Sequence, residues 1–348
     1  MSDIKRFRRG LVVGKFCPLH LGHESVISRA ANCCEDVVVI SYTKPGFPGY
    51  ERERRAAWLA ARFPDAVRLV LDDRHLVALC RDKGLGKAPA IPPDDAPDDA
   101  HRHFVAWLCT ALLGQTVDAV FTSEAYGNGF AAALAGSFAH PVEHVCVDPA
   151  RAALPVSGTQ IRSDPHRWRR YLSREVYADF VRRICVLGGE STGKTTLAAA
   201  LAKALDTCWV PEYGRELWEA KNGALVFDDM LHVALTQVKR EEAAAGQANR
   251  ALICDTSPLT TQFYSDAMFG QVAPELRRMA CRPYDLLLLC APDFEFVQDG
   301  TRRDEAFRLR QHRWYCDQLA AAGIEPVAIG GTHEQRLRLA MARVAALG

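Results

Sequence analysis

The sequence lacks any C-x-x-C pair and any cluster of cysteines and histidines at metal-ligand spacing, although it holds 12 cysteines. They are scattered singly apart from Cys33-Cys34, which excludes a zinc-binding or disulfide-stapled scaffold and fits a reducing cytoplasm. Long apolar runs are also missing. The longest, such as DLLLLCAP at 285–292, are strand-length and far too short to span a bilayer. The N-terminus is charged but has no apolar signal-peptide core. One-sided charge is absent as well: the formal net charge is +1, with 24% charged and 49% hydrophobic residues, which gives no general attraction to nucleic acid or to a membrane surface. The one basic run, KRFRRG at 5–10, reads as a solvated lead-in to the first strand. No internal repeat is visible.

What is present is a chain of 348 residues, enough for two domains that each bury a core without staples. Short β-branched or apolar runs alternate with helical patterns. LVVGKF (11–16), DVVVISY (36–42), AVRLVL (66–71), DAVFTS (118–123) and EHVCVD (143–148) predict strands of a first half. RICVLGG, CWVPE, ALICDT, YDLLLLCAP and EPVAIGG predict strands of a second half, starting at about Arg183. The alternation predicts an α/β protein with two parallel sheets, each covered on both faces. The expected domains are 1–165 and 183–348, joined by packed connecting helices at 166–182. The Pro/Asp-rich stretch 88–104 reads as a surface loop or a lid over a site.

In the second half, GGESTGKTT at 188–196 fits G-x-x-x-x-G-K-[ST] between a predicted strand and a predicted helix. Gly188, Glu190, Ser191, Thr192, Gly193, Thr195 and Thr196 form the expected phosphate cradle, where backbone N–H groups and a helix N-terminus face the anion. Lys194 is expected on the β- and γ-phosphates, and Thr195 on Mg²⁺. Asp255, closing the strand ALICD, is the second Mg²⁺ candidate; a cap for the following helix is the other use for it. Arg302, Arg303, Arg308 and Arg310 follow the strand LLLLCAP. The two nearest the DGT turn, Arg302 and Arg303, are the candidates for the transferring phosphoryl group, and surface pairing with Asp304 and Glu305 is the alternative. PEYGRE offers Glu212 for a hydroxyl proton or ribose hydroxyls, and Tyr213 to stack on a base. Asp228 and Asp229 fit the acidic start of a helix equally well. The set predicts a small-molecule kinase rather than a motor or a switch.

In the first half, GKFCPLHLGH places His20 and His23 at a strand–helix turn, with Gly14 and Lys15 at the strand end. Two imidazoles beside unpaired helix N–H groups suit negative charge developing on a phosphate. Zinc is the weaker alternative, because no third ligand lies at useful spacing. PVSGTQIR adds Ser157, Thr159 and Arg162 at a second helix start, suited to a departing pyrophosphate. Together these predict a nucleotidyl transferase.

With YERERR (50–55), VFTSEAYGNGFA (120–131), VDPAR and CDTSPLTT, these motifs resemble the NadR-type bifunctional proteins over nearly the whole chain from about Leu11. Such proteins join a nicotinamide mononucleotide (NMN) adenylyltransferase to a ribosylnicotinamide kinase. The resemblance implies a HUP-type Rossmann-like domain followed by a P-loop kinase domain, with ATP as co-substrate and Mg²⁺ as cofactor. Its ligands would be nicotinamide riboside, NMN, NAD and ATP, and Trp107, or another aromatic in the 100s, would stack on the nicotinamide ring. The sequence departs from the family pattern at Ser257, where a second acidic residue is expected. About ten residues precede the first strand, too few for the DNA-binding helix-turn-helix of repressor members, so no DNA partner is expected. A cytoplasmic protein without membrane insertion is expected. A homo-oligomer is open, and coupling to a riboside transporter is a family-level association. Two alternatives stand: one domain acts only as a nucleotide sensor, or adenylyl transfer goes to a different phosphorylated substrate. A class I aminoacyl-tRNA synthetase fragment shares H-x-G-H but would need a K-M-S-K-S-like loop, which is missing.

Overall fold

Every strand expected from the sequence forms, and all ten pair in parallel. A computed structural model describes residues 5–124, 126–148, 152–296 and 303–347. The chain divides into two units, Met1–Val176 and Tyr177–Gly348. Among the described residues, no helix is long and apolar enough to cross a membrane.

The first unit runs β1 (Phe7–Val13), α1 (Leu21–Cys33), β2 (Cys34–Ser41), α2 (Arg52–Arg62), β3 (Val67–Val70), α3 (Asp73–Asp82), α4 (Asp98–Trp107), β4 (Ala119–Thr122), α5 (Gly127–Phe138), β5 (Glu143–Cys146), α6 (Gly158–Ser163) and α7 (Arg174–Tyr177). Its sheet order, β3-β2-β1-β4-β5, is that of a doubly wound Rossmann-like fold, with the order reversing between β1 and β4. Leu11, Val38, Ile40 and Val120 are fully buried beneath the helices, as expected for strands covered on both faces.

The strand β1 begins earlier than the sequence suggested and takes in part of the basic run, while Lys5, Arg6 and Arg8 are exposed to solvent as expected. Phe7 to Gly10 lie within β1. The backbone N–H of Arg9 donates to Asp118 at 2.8 Å, its guanidinium pairs with Asp36 at 3.1 Å, and Arg6 pairs with Glu143 at 2.5 Å. Acidic neighbours thus answer the charges along the N-terminal edge of the sheet, and strand pairing can extend through them. The Pro/Asp-rich stretch forms a loop to residue 97, as expected, and then the start of α4, and it is anchored to the unit. Ile91 is buried in the core, and Asp94 accepts hydrogen bonds from Thr43 and the Lys44 N–H and pairs with Lys15 at 2.8 Å.

The second unit runs β6 (Arg182–Gly188), α8 (Lys194–Ala204), β7 (Trp209–Val210), α9 (Tyr213–Ala220), α10 (Phe227–Ala245), β8 (Ala251–Asp255), α11 (Pro258–Phe269), α12 (Pro274–Ala280), β9 (Leu286–Cys290), α13 (Glu305–Ala321), β10 (Val327–Ile329) and α14 (His333–Ala345). Its order is β10-β9-β6-β8-β7, so β6 lies at the centre and its C-terminal end meets those of β8 and β9. The stretch expected to connect the domains forms short helical turns, and Leu172, Val176, Tyr177 and Val181 are buried.

Candidate active sites

In the first unit the loops after β1, β4 and β5 gather at the point where strand order reverses, the position at which doubly wound sheets open a crevice. A cavity of about 220 Å³ lies there, lined by Gly14, His20, His23, Asp148 and Ser157 among others. His20 caps α1 with extended backbone, and its carbonyl accepts the Glu24 N–H at 3.0 Å. Its ring stacks on His23 with centroids 3.7 Å apart, and Phe16 meets His23 edge-on at 5.1 Å. The H-x-G-H spacing does this because residues three apart share a helix face. The intervening residue must be small: a Cβ on Gly22 would stand 3.0 Å from the His20 ring.

Arg162 reaches back to the same loop, donating to the Cys17 carbonyl at 2.5 Å and to Thr159 at 3.0 Å, with its guanidinium 4.5 Å above the Phe47 ring. Ser157 forms a capping box with Gln160, so its hydroxyl helps to start α6 while it also lines the cavity. Two expected residues make other contacts. The Lys15 ammonium is paired with Asp94, and Trp107 packs on the core beside Phe104, with ring centroids 6.4 Å apart. Sequence reading missed the role of Arg55. Fully within the fold at 2% exposure, it donates to the Lys15 and Leu71 carbonyls and to Ser41, tying together the ends of β1, β2 and β3. The motif YERERR carried it, but nothing in the spacing said which arginine turns inward.

In the second unit the glycine-rich loop follows β6. Gly188 has φ of +152° and Gly193 of +75°; a Cβ on Gly188 would stand 3.0 Å from the Cys290 carbonyl, so the loop's path requires glycine. Thr192 donates to the Gly189 carbonyl at 2.7 Å, and Lys194 Nζ to the same oxygen at 2.9 Å. Thr196 is exposed in the first turn of α8. From α14, buried Arg336 donates to the Thr192 carbonyl at 3.0 Å, a brace that no local motif announces.

Asp255 ends β8 fully buried. Its Oδ2 accepts the Thr195 hydroxyl at 2.6 Å, and its Oδ1 has no hydrogen-bond partner among the described residues. Burial pushes its carboxyl above the usual range against the pull of Lys194. The alternative use as a helix cap is taken by Ser257, whose side chain accepts from the Leu259 N–H. A Mg²⁺ ion shared with phosphates and waters needs only one or two protein carboxylates, so an orphaned buried oxygen beside a P-loop threonine fits it. Among the described residues, no group of three or more His, Cys, Asp or Glu could hold a metal alone.

Beside the loop is a cavity of about 160 Å³, lined by Glu190, Lys194, Glu212, Trp218, Gln237 and Tyr264 among others. Burial raises the Glu212 carboxyl; Lys194 opposes the shift and Asp255 adds to it. Tyr213, expected to stack on a base, instead bonds His232 at 3.0 Å beneath the Arg240 guanidinium, and Trp218 and Tyr264 supply the aromatic wall. Buried Gln237 accepts the Tyr213 N–H at 3.0 Å. Asp229 is used locally, accepting from Lys221 and the Val226 N–H. Arg302 lies outside the described residues. Arg303 lines the cavity, with its guanidinium 4.5 Å above Phe307, whereas Arg308 is buried on Phe294 O and Glu305.

Residues 183–336 match the family model described as an AAA domain. The chain is 30% identical over 298 residues to the trifunctional NAD biosynthesis/regulator protein NadR of Escherichia coli (strain K12), covering 84% of this chain and 71% of that protein. The NadR of Salmonella typhimurium is 29% identical over 299 residues, with the same coverage of 84% and 71%. A solved NadR protein in complex with NAD and AMP-PNP shares the fold at a TM-score of 0.69 and 22% identity, covering 100% of this chain and 98% of that one. A NadR protein in complex with NR does so at 0.68 and 23%, covering 99% and 96%.

Proposed function

The chain belongs to the NadR family, and from that premise we propose that it performs two successive ATP-dependent transfers in NAD biosynthesis. In the second unit the 5′-hydroxyl of nicotinamide riboside attacks the γ-phosphorus of ATP. The bond from that phosphorus to the bridging oxygen of ADP breaks, giving NMN and ADP. In the first unit a phosphate oxygen of NMN attacks the α-phosphorus of a second ATP, and pyrophosphate leaves as NAD forms.

Neither transfer needs a covalent enzyme intermediate, so the protein contributes position and charge. Lys194 and the loop N–H groups hold the β- and γ-phosphates, and Glu212 lines the acceptor cavity as the carboxylate for the hydroxyl proton. Thr195 and Asp255 would hold Mg²⁺, which when bound neutralises charge across the phosphates. In the first unit His20, His23 and Arg162 converge on the loop after β1 to answer charge on the α-phosphate and on the departing pyrophosphate.

The observation that carries this reading is Asp255. A buried carboxylate with one oxygen on the P-loop threonine and the other without a hydrogen-bond partner among the described residues is costly to bury, and a bound cation would offset that cost. The test is to incubate the chain with nicotinamide riboside and MgATP and follow products by chromatography. NMN should appear first and NAD after it; absence of both overturns the reading.

A further inference from the structure

Glu190 is an unexpected residue for a loop that cradles a polyanion, since its charge opposes that of the phosphates. Each of its carboxylate oxygens accepts one hydrogen bond. The Tyr264 hydroxyl donates to Oε1 at 3.0 Å, and the Arg303 backbone N–H donates to Oε2 at 2.7 Å. Its own N–H donates to Gln311 at 3.0 Å. Gln311 donates to the Tyr315 hydroxyl at 3.4 Å, and that hydroxyl donates to Thr260 at 2.9 Å. Thr260 and Tyr264 are walls of the acceptor cavity, and Arg303 lines it too. One loop residue therefore joins the phosphate cradle, the acceptor cavity and the arginine beside both.

We propose that Glu190 is a positioning residue, which fixes Arg303 against the P-loop so that its guanidinium meets the phosphoryl group while the acceptor is seated. The proposal rests on the kinase reading of this unit. The backbone of Arg303 is anchored by Glu190, and its guanidinium lies over the Phe307 ring at the wall of the acceptor cavity. An anchor of this kind acts on the transfer step more than on ATP binding, because the phosphates are held by loop N–H groups and Lys194. Removing the carboxylate also removes a repulsion from ATP, so turnover should be lost while the KM for ATP stays level or falls with kcat. A residue that merely kept the loop folded would worsen both.

The test uses the full chain and steady-state kinetics with nicotinamide riboside and MgATP. Glu190→Ala should lower kcat at least about tenfold and leave the KM for ATP at or below that of the unsubstituted protein. Glu190→Gln should recover most of the loss, because its carbonyl can accept the Arg303 N–H and its amide can donate to Tyr264. Arg303→Ala should lower kcat similarly, and adding Glu190→Ala to it should cost no more than about twofold further. A raised KM for ATP with unchanged kcat, no recovery by Gln, or multiplied losses in the double variant would each overturn the proposal. An unsubstituted chain that makes no NMN overturns the kinase reading itself, and this inference with it.

Discussion

The hydroxyl of Thr195, one residue into α8, donates to Oδ2 of Asp255 at 2.6 Å, at the end of a strand 60 residues further along the chain. The contact exists because β8 is hydrogen-bonded to β6 in register, with Val186 opposite Asp255, so the P-loop springs from the neighbouring strand end. It leaves Oδ1 of a fully buried carboxylate without a hydrogen-bond partner among the described residues.

If that oxygen is for Mg²⁺, Asp255→Asn should slow NMN formation roughly a hundredfold or more and raise the Mg²⁺ concentration needed for half-maximal rate. Thr195→Ser, which keeps the hydroxyl, should retain most activity. An Asn variant with unaltered Mg²⁺ dependence would remove Asp255 from the metal site.

The two cradles belong to separate units and, under the proposed function, to different reactions. Lys194→Ala should abolish NMN formation from the riboside yet leave NAD formation from supplied NMN within about twofold. His23→Ala should do the converse, slowing NAD formation by about a hundredfold or more while NMN accumulates. Chromatography of both product sets reads this directly, and loss of both activities in either variant would show that the sites are not independent.

Glu241, one turn beyond the cavity-lining Gln237 on α10, predicts a pH dependence of stability. It is fully buried and accepts from Tyr284 at 3.1 Å, with Arg282, Arg183 and Glu242 around it. Burial pushes its carboxyl up to about 7 from an ordinary 4.5, against the pull of Arg282. The folded chain therefore holds this proton more tightly than the unfolded chain does. Its contribution is fully present below the unfolded value of 4.5 and lost as pH rises through about 7. Glu241→Gln should flatten that decline and gain up to about 3 kcal/mol relative to the parent at alkaline pH, by denaturant unfolding at about pH 5 and about pH 8. An unchanged slope would show that Glu241 does not titrate in this window.

Much of the fold was legible because strands covered on both faces read as short apolar runs, and all ten lie near their expected places. The shift of β1 into the basic run was not legible, since the acids that answer Arg6 and Arg9 come from β2, β5 and the residue before β4. The Pro/Asp-rich stretch is a loop to residue 97, as its composition suggested, and opens α4 at Asp98. What composition did not show is its anchoring, by Ile91 in the core and by Asp94 on Lys15, Thr43 and Lys44. Tyr213 and Trp218 lie one and a half turns apart on α9; which of them faces the cavity depends on how the helix is rotated against α10, and that is a packing decision.

What the sequence by itself determined are the two phosphate-facing turns, GGESTGKTT and H-x-G-H. Their chemistry depends on residues within a few positions of one strand–helix join, so local spacing is enough. What only the tertiary structure decided is how distant side chains complete them: Asp255 on Thr195, Arg336 under the P-loop, Arg55 across three strand ends, and Glu190 between Tyr264 and Arg303. Each of these contacts depends on sheet order and helix rotation. Those are set by burial over the whole unit, and no short stretch of sequence carries that information.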